Sequence, residues 1–185
     1  MNWMTKLKVA IFDMDGTLYQ DDAFLGRYVT YLLDGVMDEE EIAIAVSEAY
    51  DILDGSHTVK LGHFFDREQH IFYEHDQFLP TNCYSWEGKK HENPLEENAS
   101  LLFIGDPWGV ANLYAEKYGI PRESRAEAFE KVRYEMIEDP FKIRLHAPLF
   151  DSITALGIKK KNIYDKYTGG YRPCFRYVFE YRIGI

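Results

Sequence analysis

An imbalance between strand and helix limits this chain more than any other feature. LKVAIF, Leu7 to Phe12, reads as a buried strand: short, apolar and bounded by polar residues. About 130 residues follow in which helical spacing dominates. A parallel sheet cannot be built from one strand, so either more core strands come after about residue 157 or the core is incomplete.

Asp21 or Asp22 can cap a helix whose Leu25, Tyr28, Val29, Leu32 and Leu33 share one apolar face. Asp38 and Glu41 have the spacing of a capping box for a second helix, striped by Ile42, Ala45, Val46, Ala49, Tyr50 and Leu53 and ended by Gly55. GHFFDREQHIFYEHDQFLP is expected to be helical in part, and PTNCYSWEGKKHENPLEEN to be loop. LLFIGDPWGVANLYAEKYGIP gives an apolar run, a turn and a helix, with Asp106 at the N-cap, Pro107 at the first position, and Gly119 and Pro121 at the end. Ser124 and Glu127 box the next helix, whose Phe129, Val132 and Met136 share a face and which stops at Asp139-Pro140. Leu145, Leu149, Phe150, Ile153 and Leu156 stripe a last helix, with Gly157 after it.

The strand delivers Asp13 and Asp15, two residues apart, into a turn on Gly16, in the stretch IFDMDGTLYQ. Strand-ending Asp-Gly turns with two solvated acids are common. DMDGTL behind a buried strand, however, resembles the first motif of the haloacid dehalogenase-like (HAD) hydrolases, and the match is close from Phe12 to Leu18. The helical insertion behind it resembles that family's cap domain. The resemblance implies an α/β fold, with an incomplete Rossmann-type core, its site at the carboxyl ends of parallel strands, and a large, mainly helical cap. The expected division is residues 1–19 for the first core strand and catalytic loop, 20–145 for the cap, and 146–185 for the return to the core.

The same resemblance implies a Mg²⁺-dependent phosphatase of a small phosphate monoester. Asp13 would attack phosphorus and form an aspartyl-phosphate. Asp15 would protonate the leaving oxygen and then deprotonate water. Met14, Gly16 and Thr17 would form the loop that holds the phosphoryl oxygens. Asp13, through its carboxylate, and Asp15, through its backbone carbonyl, would hold Mg²⁺. An acid at the second position favours phosphatase over dehalogenase chemistry, because the family's dehalogenases lack it.

The family also needs a strand ending in Thr or Ser, a Lys and a later acidic metal ligand. Asp106 has the outline of that ligand, in an apolar-Gly-Asp-turn-helix pattern, but Trp108, Gly109 and Val110 stand where a second acid should follow. It reads first as an N-cap, with the metal ligand as the alternative. No apolar strand ending in Ser or Thr lies between residues 20 and 95. The second motif is expected after the helix that ends at Gly157, and IKKKNIYDKYTGGYRPCFRYVFEYRIGI does not show it.

That tail also changes the charge. Residues 158–185 carry seven Lys and Arg against Asp165 and Glu180, a net of +5 in a chain of net −10. The three lysines before Asn162 are readily encoded by a run of A, a slippery template. One choice of codons for Asn162 to Gly170, read one base later, gives Ile-Phe-Met-Thr-Asn-Thr-Pro-Glu, a strand with the Thr-Asn ending. The tail is therefore expected to be frameshifted after about residue 161, which would truncate the motif set and impair activity. Alternatively it is genuine, divergent structure, since FRYVFEYRI alternates as a half-buried strand does. A non-catalytic remnant or binding module of the same fold is the rival function.

His63, Asp66, His70 and His75 suggest metal less well, because their spacing is no standard zinc pattern. The negative charge argues against nucleic-acid and anionic-membrane partners. No apolar run approaches the ~20 residues that span a membrane. Cys83 and Cys174 form no CxxC pair, so a reduced, cytoplasmic protein is expected. A small phosphorylated metabolite is the expected partner, with self-association through an unpaired core strand.

Overall fold

The computed structural model describes Gly16, Thr17, Tyr19 and residues 21–92 and 99–155. These residues form a mixed α/β structure of five helices and one five-stranded antiparallel sheet. In chain order the elements are α1 (Phe24–Leu33), α2 (Glu39–Asp54), β1 (Phe64–Asp66), β2 (Phe72–Asp76), β3 (Leu79–Tyr84), β4 (Lys90–His91), β5 (Leu101–Phe103), α3 (Pro107–Lys117), α4 (Arg122–Glu135) and α5 (Ala147–Ala155). The chain divides into two compact units, one of Ala23–Val132 and one of Met1–Asp22 with Arg133–Ile185. Strand Leu7–Phe12 and the tail from 158 lie outside the described residues.

In the Ala23–Val132 unit, α1 buries Leu25, Tyr28, Val29, Leu32 and Leu33, the face that its spacing predicts, and Phe24 with them. Its N-cap is Ala23, with no side-chain bond. This corrects the expected Asp21 or Asp22 cap. Asp22 stands one residue too far upstream to serve as the N-cap, whose side chain reaches the second or third helical amide. The box of α2 is formed: Glu41 N–H donates to the Asp38 carboxylate at 2.9 Å, and Asp38 N–H donates to that of Glu41 at 3.1 Å. Gly55 closes α2 at φ +82, which costs a glycine little. The buried stripe of α2 runs through Ala45, Ala49 and Ile52, and Tyr50 lies at its edge, its hydroxyl accepting from Gly26 N–H at 3.2 Å.

Asp106 caps α3 with Pro107 at its start, as its sequence predicts. α4 begins at Arg122, so the expected Ser124–Glu127 box does not form. Pro121 already holds a helix-compatible φ, and Arg125 N–H donates to its carbonyl at 3.0 Å. Arg125 then clamps the end of α3. Its guanidinium donates to the carbonyls of Ile120 and Ala115 and to the Glu116 carboxylate, which also pairs with Arg67 at 3.4 Å. Burial raises the Glu116 pKa, but the bond and charge of Arg125, aided by Arg67, outweigh it and hold the carboxyl below its usual range.

The sheet is the main correction to the sequence reading. Residues expected to be helix or loop form β1 to β4, and with β5 they make an antiparallel sheet ordered β4-β3-β2-β1-β5. The 20–145 segment, expected to be mainly helical, has helices α1 to α4 and carries this sheet with them. Phe65 pairs with Phe72 and Leu102 on one face. The Phe72 ring lies 5.6 Å from Trp86, which meets Tyr114 of α3 at 5.9 Å. Phe64, Tyr73 and Cys83 share the other face, and Tyr73 and Cys83 form a buried cluster with Ile71. Cys83 is buried, and its thiol donates to the His91 carbonyl at 3.2 Å.

In the other unit, Tyr19 is buried and forms an isolated antiparallel bridge with Leu145. Leu145 therefore lies before α5 and not in it. Among the described residues, no helix is long and apolar enough to cross a membrane.

Candidate functional site

The candidate catalytic loop can be placed only from its second half. Gly16 has φ +71, a left-handed conformation that a side chain would strain, and no heavy atom lies within 4 Å of where a Cβ would sit. Thr17 is half-buried and continues the turn, and Tyr19 anchors the chain beyond it through the Leu145 bridge. Asp13, Met14 and Asp15 lie outside the described residues. Just after the loop, burial raises the carboxyl pKa of Asp22, and Asp21 adds to the effect.

Asp106 has a defined occupation. Its Oδ1 accepts Gly109 N–H at 2.7 Å, and its carbonyl accepts Val110 N–H at 3.1 Å. Gly109 suits that position, because a Cβ there would approach the Ile104 Cα and the Phe103 carbonyl at 3.3 and 3.4 Å. Asp106→Ala is expected to lower stability by about 1 kcal/mol in urea denaturation, and Asp106→Asn by much less. A Mg²⁺-dependent stabilisation lost in both variants would assign Asp106 to the metal instead.

His63, Asp66, His70 and His75 do not converge. Asp66 is buried and its Oδ1 accepts the N–H groups of Glu68 and Gln69, closing the β1–β2 turn. His70 stands in that turn at φ +55. Among the described residues, no three His, Cys, Asp or Glu side chains could hold a metal ion together. For Mg²⁺ the fit rests on donor chemistry: the Asp13 carboxylate and the Asp15 carbonyl are hard oxygen donors of the type this ion takes.

One polar cluster follows no spacing rule. The Lys117 ammonium lies 3.4 Å from the centre of the Trp86 ring and 5.2 Å from that of Tyr118. Burial lowers the Lys117 pKa, opposed by the charges of Glu48 and Glu87. The cluster joins α3 to the turn after β3, which explains it as packing. No protein-family model matches the chain, and no curated protein or solved structure matches it.

Proposed function

We propose that this chain carries the nucleophile loop of a HAD-like hydrolase, a Mg²⁺-dependent phosphatase of small phosphate monoesters. What supports the reading is Gly16: directly behind Asp13-Met14-Asp15 in sequence, it takes the left-handed conformation that lets a backbone turn tightly. In sequence, the Ala23–Val132 unit falls between the two stretches of the other, which supports reading it as a cap. This cap carries an antiparallel sheet with its helices.

In this mechanism the Asp13 carboxylate displaces the alcohol from phosphorus and becomes an aspartyl-phosphate. Asp15 gives its proton to the departing oxygen and takes one from the water that releases phosphate. Amides of Met14, Gly16 and Thr17 hold the phosphoryl oxygens. The Asp13 carboxylate and the Asp15 carbonyl would hold Mg²⁺, which would supply charge neutralisation between an anionic nucleophile and an anionic substrate.

A complete site of this kind also has a Thr-ending strand, a Lys and a second acidic ligand, none of which is clear in these 185 residues. Electrostatic stabilisation is usually the largest catalytic contribution, so these 185 residues by themselves are expected to turn over several powers of ten below a site that has all of them. The test is phosphate release from an aryl phosphate with Mg²⁺ or with EDTA. Slow, Mg²⁺-dependent release is expected. Release that EDTA leaves unchanged would overturn the mechanism, and no release above background would favour the non-catalytic module. Coding DNA around Lys159–Tyr167 that lacks an A-run and has no open shifted frame would make the tail genuine structure.

A further inference from the structure

Three histidines use the same ring atom in the same way. His57 Nδ1 accepts Val59 N–H at 3.0 Å, His63 Nδ1 accepts Lys60 N–H at 3.4 Å, and His75 Nδ1 accepts Phe78 N–H at 3.2 Å. Each bond needs a neutral ring with its proton on Nε2.

The His75 bond holds the most. The β2–β3 turn is Gln77-Phe78, and both residues are left-handed, at φ +49 and +65, where a bulky side chain is strained. The Phe78 ring stacks on the His75 ring, 5.2 Å between centroids and 9° between planes. It also meets Phe103 at 5.7 Å, and Phe64 touches both His75 and Phe103. Even so, Phe78 is 67% exposed and the adjacent Leu79 71%. A strained turn that presents apolar side chains to water thus has, beyond the Asp76–Leu79 pairing that flanks it, one imidazole nitrogen holding its Phe78 amide.

We propose that His75 is a pH-sensitive latch: neutral, it holds the Gln77-Phe78 turn closed, and protonated at Nδ1 it turns from acceptor into donor and releases the turn. β1 and β5 bring only the rings of Phe64 and Phe103 against His75. The 60–63 turn brings His63 within electrostatic reach of His75, and Glu74, the residue before it in β2, has its carboxylate accepting from Asn82 Nδ2 at 2.9 Å. Burial holds the His63 pKa below the ordinary imidazole range, opposed by Glu74 and reinforced by Lys60 and His75. The His63 contribution to stability is therefore present above about pH 6.5 and is lost as pH falls through its depressed pKa. The 60–63 turn loosens in the same direction as the latch.

Hydrogen exchange at the Phe78 amide, followed by NMR from pH 8 to pH 5 with the ring nitrogens of His75, tests this. Protection of Phe78 should fall about tenfold as Nδ1 takes its proton, the worth of one hydrogen bond. His75→Asn, whose side-chain oxygen can accept the same N–H, should stay protected throughout. His75→Phe, which keeps the stack without the acceptor, should stay unprotected throughout. The latch is overturned if Nδ1 already carries a proton at pH 8, if His75→Asn keeps the wild-type pH dependence, or if Phe78 protection stays constant while His75 titrates. Loss of Leu113 protection in α3 in the same step would also overturn it, because the event would then be general unfolding.

Discussion

Asp13→Asn is expected to bring Mg²⁺-dependent phosphate release down to the rate without protein, a loss of the whole wild-type excess over that rate. An amide keeps the size of the carboxylate but lacks its negative charge, so it neither attacks phosphorus nor anchors the divalent ion. Both roles depend on the same oxygens, so one substitution removes them together. Gly16 is untouched, so the left-handed turn should persist and far-UV circular dichroism should be unchanged. Half or more of the wild-type rate in Asp13→Asn would remove the nucleophile assignment while leaving the fold as described.

The helices were legible because local chemistry sets them. Asp38 with Glu41 and Asp106 with Pro107 are short-range signals, and both caps form where their spacing puts them. The face of α1 follows from a 3.6-residue period that nothing interrupts. The sheet was not legible, for reasons visible in its turns. Asp66-Arg67-Glu68-Gln69-His70 looks like the polar side of a helix, but it is a hairpin tip closed by the buried Asp66 carboxylate and a left-handed His70. Gln77-Phe78 closes the next hairpin with two positive φ values and without the Asn-Gly or Asp-Gly pair that usually announces such a turn. With strands of three residues in β1 and β5 and two in β4, no period-2 pattern has room to develop. Of the candidate site, the sequence supplies the residue types and their order. Asp106 shows the limit of that information: one outline serves a cap and a metal ligand alike, and the 2.7 Å bond to Gly109 N–H shows the cap is made.

Trp108→Ala is expected to destabilise the Ala23–Val132 unit by about 3–5 kcal/mol, the range for removing a large buried aromatic. The Trp108 ring is 6% exposed and lies where three helices meet. It stacks on Phe24 of α1 at 4.2 Å, meets Tyr28 of α1 edge-on at 5.6 Å, and lies 5.4 Å from Phe129 of α4. Tyr28 has little freedom to fill the gap: it is buried, its hydroxyl pKa is pushed up to about 12 by that burial, and its ring also packs on Phe129 at 6.2 Å. Alanine at this position would thus leave a cavity that rigid aromatic neighbours cannot close, and three ring contacts would be lost at once. A unit of this size has only about 5–15 kcal/mol of stability in all, so the variant should be marginally folded, with Tm lower by more than about 10 °C. Trp108→Phe keeps one ring in the stack on Phe24 and should lose much less. Urea and thermal unfolding followed by far-UV circular dichroism measure both, free of the change in indole fluorescence. A loss below about 1 kcal/mol for Trp108→Ala would mean that the helices meet without this ring.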